Sequence, residues 1–348
     1  MDSLVVGQRL VPELADKLRA RYRVLQRIFL HQPIGRRSLA TVLGTTERIL
    51  RADVELLKQQ GLLDVGPIGM SLTEAGVAVI ADLDDVIRCL DGRQELERML
   101  SSTLGIGRVI VVPGDSQDDE VVMRDIGYGA GRVLSEYIKP PCTVAVTGGS
   151  SMAMVADMLP KSTQQLAIEV LPARGGLGER VELLANTIAS QIAFKLGGTY
   201  RMFHVPELLS RTTAERLSME PMIQEIVNRI RSADIVLHGI GDALTMARRR
   251  RLDDQTITDL RQQKAVAEAF GYYFDAQGNI VHVMNTVGLH LGDLPHIGTV
   301  IGVAGGRAKA SAITAASRAY KMDALITDEG AAREIVHSEG MISTWQPK

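Results

Sequence analysis

The chain has 348 residues, of which 45% are hydrophobic and 23% charged, and its formal net charge is −2. That length suggests about two domains able to bury their cores without covalent staples, and the charge balance announces no polyanion partner for the chain as a whole. Cys89 and Cys142 are its two cysteines, which excludes a disulfide framework and any cysteine-rich metal site. The apolar runs are too short to span a bilayer, and MDSLVVGQRL lacks a signal-peptide pattern. A protein of a reducing cytoplasm, without a membrane partner or metal, is expected.

The charge is uneven. Between Lys17 and Lys58 ten basic residues stand against three acids, a local excess of +7, and the remainder is acidic on balance. In chain order, Val24, Leu25, Ile28 and Phe29 stripe a helix from Leu18 to Leu30, ended by His31-Gln32-Pro33. Ser38–Leu43 reads as a short second helix stopped by Gly44. Thr45 or Thr46 caps a third, which runs to about Gln60 with a buried stripe of Leu50, Val54 and Leu57. LLDVGPIGMSLT then has the turn and short apolar runs of a two-stranded wing.

This order predicts a winged helix-turn-helix over residues 1–88. A helix fits the DNA major groove and presents its N-terminal residues to the base edges. Thr45, Thr46, Glu47, Arg48 and Arg51 lie at that end of the third helix. Arg48 and Arg51 can read guanine or grip phosphate, and Glu47 can contact a base or serve the helix end. Arg36 and Arg37, at the start of the second helix, suit backbone phosphates. Charge, turn and wing favour double-stranded DNA over a helical module that binds protein.

From Gly76 to Leu104 helix formers predominate, and one connecting helix is expected. Residues 89–348 then alternate short β-branched runs (Arg108–Val112, Thr143–Thr147, Ile168–Leu171, Ile235–Leu237, Val300–Val303, Ala324–Thr327) with helical stretches. The fold class is therefore α/β, a Rossmann-like doubly wound, mostly parallel sheet. Ligands gather outside the C-terminal strand ends of such sheets. Thr147-Gly148-Gly149-Ser150-Ser151, between a strand and a helix, offers backbone N–H groups and two hydroxyls to an anion, though a plain tight turn has the same composition. GVAGGRAK repeats that logic and adds Lys309. Arg174 follows a third strand on a Gly-flanked loop and can fork onto a second phosphate. Glu268, before FGYYF, can accept sugar hydroxyls or pair with a surface lysine. The Arg248–Arg251 run reads from composition as a solvated helix end, and His282, His290 and His296 as structural.

RRSLATVLGTTERILRADVELLKQQGLL, TGGSSMA, LPARGGLGE, HGIGDALTMARRR, EAFGYYF, VAGGRAKA and ITDEGAA, in this order over residues 36–332, resemble the bacterial SorC family of transcriptional regulators, in particular its glycolytic-operon repressors. The resemblance implies a homodimeric or homotetrameric repressor that binds operator DNA, with a sensor domain similar to phosphosugar isomerases. It implies no cofactor but an effector, fructose 1,6-bisphosphate or a related sugar phosphate. By motif, Gly148, Gly149, Ser150, Ser151 and Lys309 would surround one phosphate, Arg174 and Arg249 the other, and Glu268 the hydroxyls. It thus singles out Arg249 and leaves Arg248, Arg250 and Arg251 as surface residues. Ser150-Ser151 replaces a Thr-Thr common in relatives and keeps both hydroxyls. Leu184 stands where relatives often carry Gln, which keeps a sugar-monophosphate sensor open. An isomerase or deaminase with a DNA-binding head is the rival from another class; Asp242 and Glu268 are its nominal bases, and no motif places a catalytic residue.

Overall fold

The computed structural model describes residues 10–162, 164–176 and 180–340. The first nine residues, on which the signal-peptide reading drew, and Leu177–Glu179 of LPARGGLGE lie outside the described residues. The chain divides into two compact units between Glu95 and Leu96.

The first unit contains helices Pro12–His31, Arg36–Val42 and Glu47–Gln59, the antiparallel strands β1 (Leu63–Gly66) and β2 (Gly69–Leu72), and a helix Glu74–Leu90. Its core gathers one face of each helix: Tyr22, Leu25 and Ile28, then Leu39, then Leu50, Val54 and Leu57, sealed by Leu63, Met70 and Ile80. Each such side chain contributes about 1.5–3 kcal/mol on full burial. An isolated bridge from Ile34 to Met70 ties the start of the second helix to the wing. The expected single helix from Gly76 to Leu104 is corrected to two, Glu74–Leu90 and Arg93–Leu104. Gly92 breaks it with φ +71°, and the preceding Asp91 is pinned by the Nε of Arg19 at 2.8 Å.

The second unit is built on a seven-stranded sheet in the order β3-β13-β12-β7-β4-β5-β6. Its strands are β3 Arg108–Val112, β4 Cys142–Val146, β5 Ile168–Pro172, β6 Thr199–Tyr200, β7 Ile235–Gly239, β12 Thr299–Val303 and β13 Ala324–Asp328, and all the pairings are parallel. Both faces are buried: Val111, Ala145, Leu171, Val236 and Leu325 point into one core, Val144, Val146, Leu237, Ile301 and Ile326 into the other. That is why these strands read as continuous apolar runs. A second, antiparallel sheet was not foreseen. It follows β11-β10-β9-β8 (Ile280–Val283, Tyr272–Phe274, Ala267–Ala269, Gly241–Asp242), whose two- to four-residue strands are too short to show alternation.

The strand order reverses between β4 and β7, because the chain runs outward one way through β5 and the other way through β12. The loops after β5, β4, β7 and β12 thereby become neighbours along one sheet edge, the crevice where such sheets take ligands. Among the described residues no helix is long and apolar enough to cross a membrane.

Candidate functional site

Four strand ends build the candidate site of the second unit. After β4, Thr147 accepts from the amide of Gly239 at 3.2 Å, joining this turn to the end of β7. Gly149 then caps the helix Ser150–Met158 without a side chain, so its first-turn amides receive no side-chain cap. Ser150 is exposed and Ser151 buried at the mouth of this turn. Half-buried Leu184 belongs to the segment that closes over Gly148, where a Cβ would meet the Leu183 carbonyl at 2.7 Å.

The turn after β12 differs from the expectation that it would be a second anion nest. Asp328 accepts from the amides of Gly306 and Ser116 at 2.7 and 2.9 Å, Asp115 from that of Arg307 at 3.3 Å, and Gln117 from that of Ala308 at 3.1 Å. The backbone donors are therefore spent on the protein itself, and what the turn offers is the Lys309 ammonium. Among the described residues this half-buried group forms no ion pair. Burial lowers its pKa; Asp328 pulls it back up, Arg249 adds to the lowering and Asp242 opposes it. Arg249, exposed at the end of the helix Ala243–Arg249, likewise forms no ion pair. Two cations in electrostatic reach of one another, at a strand-end edge and without a carboxylate in hydrogen-bonding contact, are arranged to hold an anion.

Arg174 and Glu268 come together deeper in the crevice, 3.8 Å apart. Arg250 completes the cluster with Nη1 2.9 Å from Glu268, and Glu207 bonds both arginines at 2.8 Å. Arg250 was expected on the surface, and this is corrected: its side chain is 8% exposed. Ala243 and Ala247 are buried on the same helix, and Arg250 lies seven and three residues beyond them. Helical spacing places it on the buried face, a signal the run of four arginines hides. Glu207 carried no sequence signal. Burial would raise the pKa of Glu268, but the charges of Arg250 and Arg174, with bonds from Arg250 and the Gly271 amide, hold it below the ordinary carboxylate range. Burial and the neighbouring Arg250 lower that of Arg174, against Glu207 and Glu268. Gly271 makes room for the cluster: a Cβ there would stand 2.5 Å from Arg174 Nη1, and its φ of +81° closes the β9–β10 hairpin.

In the first unit, Arg36 and Arg37 are exposed in the first turn of Arg36–Val42. Thr46, not Thr45, is the N-cap of Glu47–Gln59, accepting from the Ile49 amide at 3.4 Å. Glu47, Arg48 and Arg51 are exposed along the start of that helix. Arg21 pairs with Asp53 at 3.0 Å, fixing the helix to the first one and removing one cation from the free positive face.

Comparison with known proteins agrees with this division. Residues 89–337 match a sugar-binding domain family, and residues 18–87 match the family "CggR N-terminal DNA binding domain". The chain is similar to the "Central glycolytic genes regulator" of Priestia megaterium (strain DSM 319 / IMG 1521), 44% identical over 338 residues, which is 97% of this chain and 99% of that protein. A crystal structure of a SorC family transcriptional regulator from Enterococcus faecalis is 43% identical, with a TM-score of 0.64 over 70% of this chain and 99% of that one. The chain belongs to the SorC family of transcriptional regulators. The full-length sorbitol operon regulator SorC of Klebsiella pneumoniae shares the SorC fold over 92% of this chain and 98% of its own, with a TM-score of 0.67 at 18% identity. As a SorC regulator, this protein joins a DNA-binding head to a sugar-binding body.

Proposed function

We propose that the protein is a cytoplasmic repressor of a glycolytic operon, released from operator DNA by fructose 1,6-bisphosphate. Residues 1–88 bind DNA through Arg36, Arg37, Thr45, Thr46, Glu47, Arg48 and Arg51; residues 89–348 bind the effector and hold a homodimer or homotetramer together. The observation that carries the effector reading is the pair Lys309 and Arg249, cations that form no ion pair with a carboxylate among the described residues, at the switch-point edge. Gly148, Gly149, Ser150, Ser151 and Lys309 surround one phosphate, Arg174 and Arg249 take the other, and Glu268 accepts from the hydroxyls. Copies of the chain on neighbouring half-sites gain affinity through avidity, and an effector that favours one assembly over the other by about 1–3 kcal/mol weakens that gain.

Turnover is not part of this proposal. Glu268, the better placed of the two nominal bases, is locked between Arg250 and the Gly271 amide, and both arginines favour its charged form and lower its pKa. A monophosphate sensor is the second reading, favoured by Leu184 beside the Gly148 turn. A thermal-shift titration with fructose 1,6-bisphosphate, fructose 6-phosphate and inorganic phosphate separates the two. The bisphosphate at about 100 times its dissociation constant should stabilise by about 2.7 kcal/mol, and the others much less. An equal response to the monophosphate transfers the effector assignment to it. Lys309→Ala and Arg174→Ala should abolish sugar-dependent release from operator DNA.

A further inference from the structure

Glu207 stands on the irregular stretch between β6 and the helix Arg211–Met219, and a single carboxylate oxygen accepts from both Arg174 Nη2 and Arg250 Nε at 2.8 Å. With Glu268 these groups form a charge-balanced cluster of two guanidinium and two carboxylate groups. Glu207 is its most exposed member, 22% against 9% for Arg174, 8% for Arg250 and 5% for Glu268. Its stretch is fastened at both ends. Asn186 brackets Phe203 with bonds of 2.8 and 3.1 Å, and Ser210 caps the following helix. In between, the chain lies across the Arg174-Gly175 turn: a Cβ on Gly175 would meet the Val205 carbonyl at 2.3 Å. Arg174 Nη1, buried beside this turn, has no hydrogen-bond partner among the described residues.

We propose that Glu207 is a built-in competitor for the effector phosphate, which must displace it from Arg174 and so releases residues 204–209. This rests on the effector reading above. A phosphate arriving while Glu207 is in place meets a carboxylate on the same guanidinium donors. Once Glu207 withdraws, the cluster has a net charge of +1, and the arginine fork can take two phosphate oxygens. A phosphate dianion outcompetes a carboxylate monoanion for that fork, whereas a neutral hydroxyl does not. Glu207 thereby makes the second subsite selective for a phosphate ester, and it links occupancy to the freedom of a surface segment. Arg250 is the positioning residue: held by Glu268, it keeps the second guanidinium in place when Glu207 leaves.

Glu207→Gln keeps the shape and removes the charge. Calorimetric titration of the full chain should show fructose 1,6-bisphosphate binding about tenfold tighter to this variant, a typical coupling between linked sites. Hydrogen exchange at the amides of His204, Val205, Glu207, Leu208 and Leu209 should rise in wild type on adding the bisphosphate, and should already be raised in Glu207→Gln without it. Equal or weaker affinity in the variant, or exchange at 204–209 that does not respond to the substitution, overturns the proposal. A side chain that merely packs would lose stability on substitution and gain no affinity. If wild type binds no sugar phosphate, the effector reading fails separately. Inorganic phosphate affinity and ligand-free exchange in the variant then decide the role of Glu207.

Discussion

His238 ends a wholly apolar strand, β7, with its ring fully buried and centroids 4.6 Å from Phe270 and 5.6 Å from Tyr320. Its Nδ1 donates to the Gly239 carbonyl, and its Nε2 has no hydrogen-bond partner among the described residues. Burial lowers its pKa to about 4, against small opposing effects of that carbonyl and Glu268. The unfolded chain takes up a proton near the ordinary value of 6.5, where the folded chain does not. Stability is therefore unaffected by this group above about pH 6.5 and falls as the pH drops below it, the loss reaching about 3 kcal/mol by pH 4. Urea midpoints measured from pH 7.5 down to about pH 5 should fall accordingly, and His238→Phe should flatten that part of the profile; an unchanged slope in the variant would assign the loss to other groups. At this scale legibility depended on whether a residue's partners were local. Lys309 and Arg174 stood out because each follows a strand on a glycine-containing loop. Glu207 was not, since the arginines that give it meaning are 33 and 43 residues away.

On the proposed function, the helix Glu47–Gln59 is the element on which operator recognition would turn. Leu50, Val54 and Leu57 face the core, which leaves Arg48, Ala52 and Glu55 on the opposite, exposed side and Arg51 on one flank. On the same proposal Arg48 would meet base edges, whereas Arg36 and Arg37, which begin a separate helix, would meet the backbone. Arg48→Ala should relax sequence preference at one base position by about 1–3 kcal/mol. Arg36→Ala or Arg37→Ala should weaken binding uniformly across sequences and lower the slope of log affinity against log salt by about 1. Operator and non-operator duplexes titrated at several salt concentrations measure both, and a uniform loss for Arg48→Ala would move that residue to the phosphate class. Six of the seven parallel strands were legible to within two residues as continuous apolar runs, whereas the two-residue β6 and the helices Arg211–Met219, Asp254–Gln262 and Glu329–Ser338 were not foreseen. The break at Asp91-Gly92 and the strands β8–β11 were not legible either: one depends on a single glycine in a helix-forming run, the other on segments too short to carry a period.

For the molecule as a whole, two units with separate cores predict separate responses to the effector. The head core runs from Ala15 to Leu90, and the sheet cores begin at Leu96. A sugar phosphate held by the crevice should raise the unfolding temperature of the second unit in proportion to the logarithm of its concentration and leave that of the head where it was. Differential scanning calorimetry with and without fructose 1,6-bisphosphate checks this; one joint transition that moves as a whole would show that the units unfold cooperatively.

By itself, the sequence determined the alternation of strands and helices, the basic head, the helix that follows the Gly44 turn and the glycine turns at the strand ends. All of these arise from period, cap and turn chemistry acting over a few neighbouring residues. Tertiary structure alone decided which turn keeps its donors. Gly306, Arg307 and Ala308 spend theirs on Asp328, Asp115 and Gln117, side chains brought from β13 and from the loop after β3 by the strand order. It also decided that Arg250 turns inward to Glu268 and Glu207, because buried charge is stable only where distant segments deliver its counter-charge.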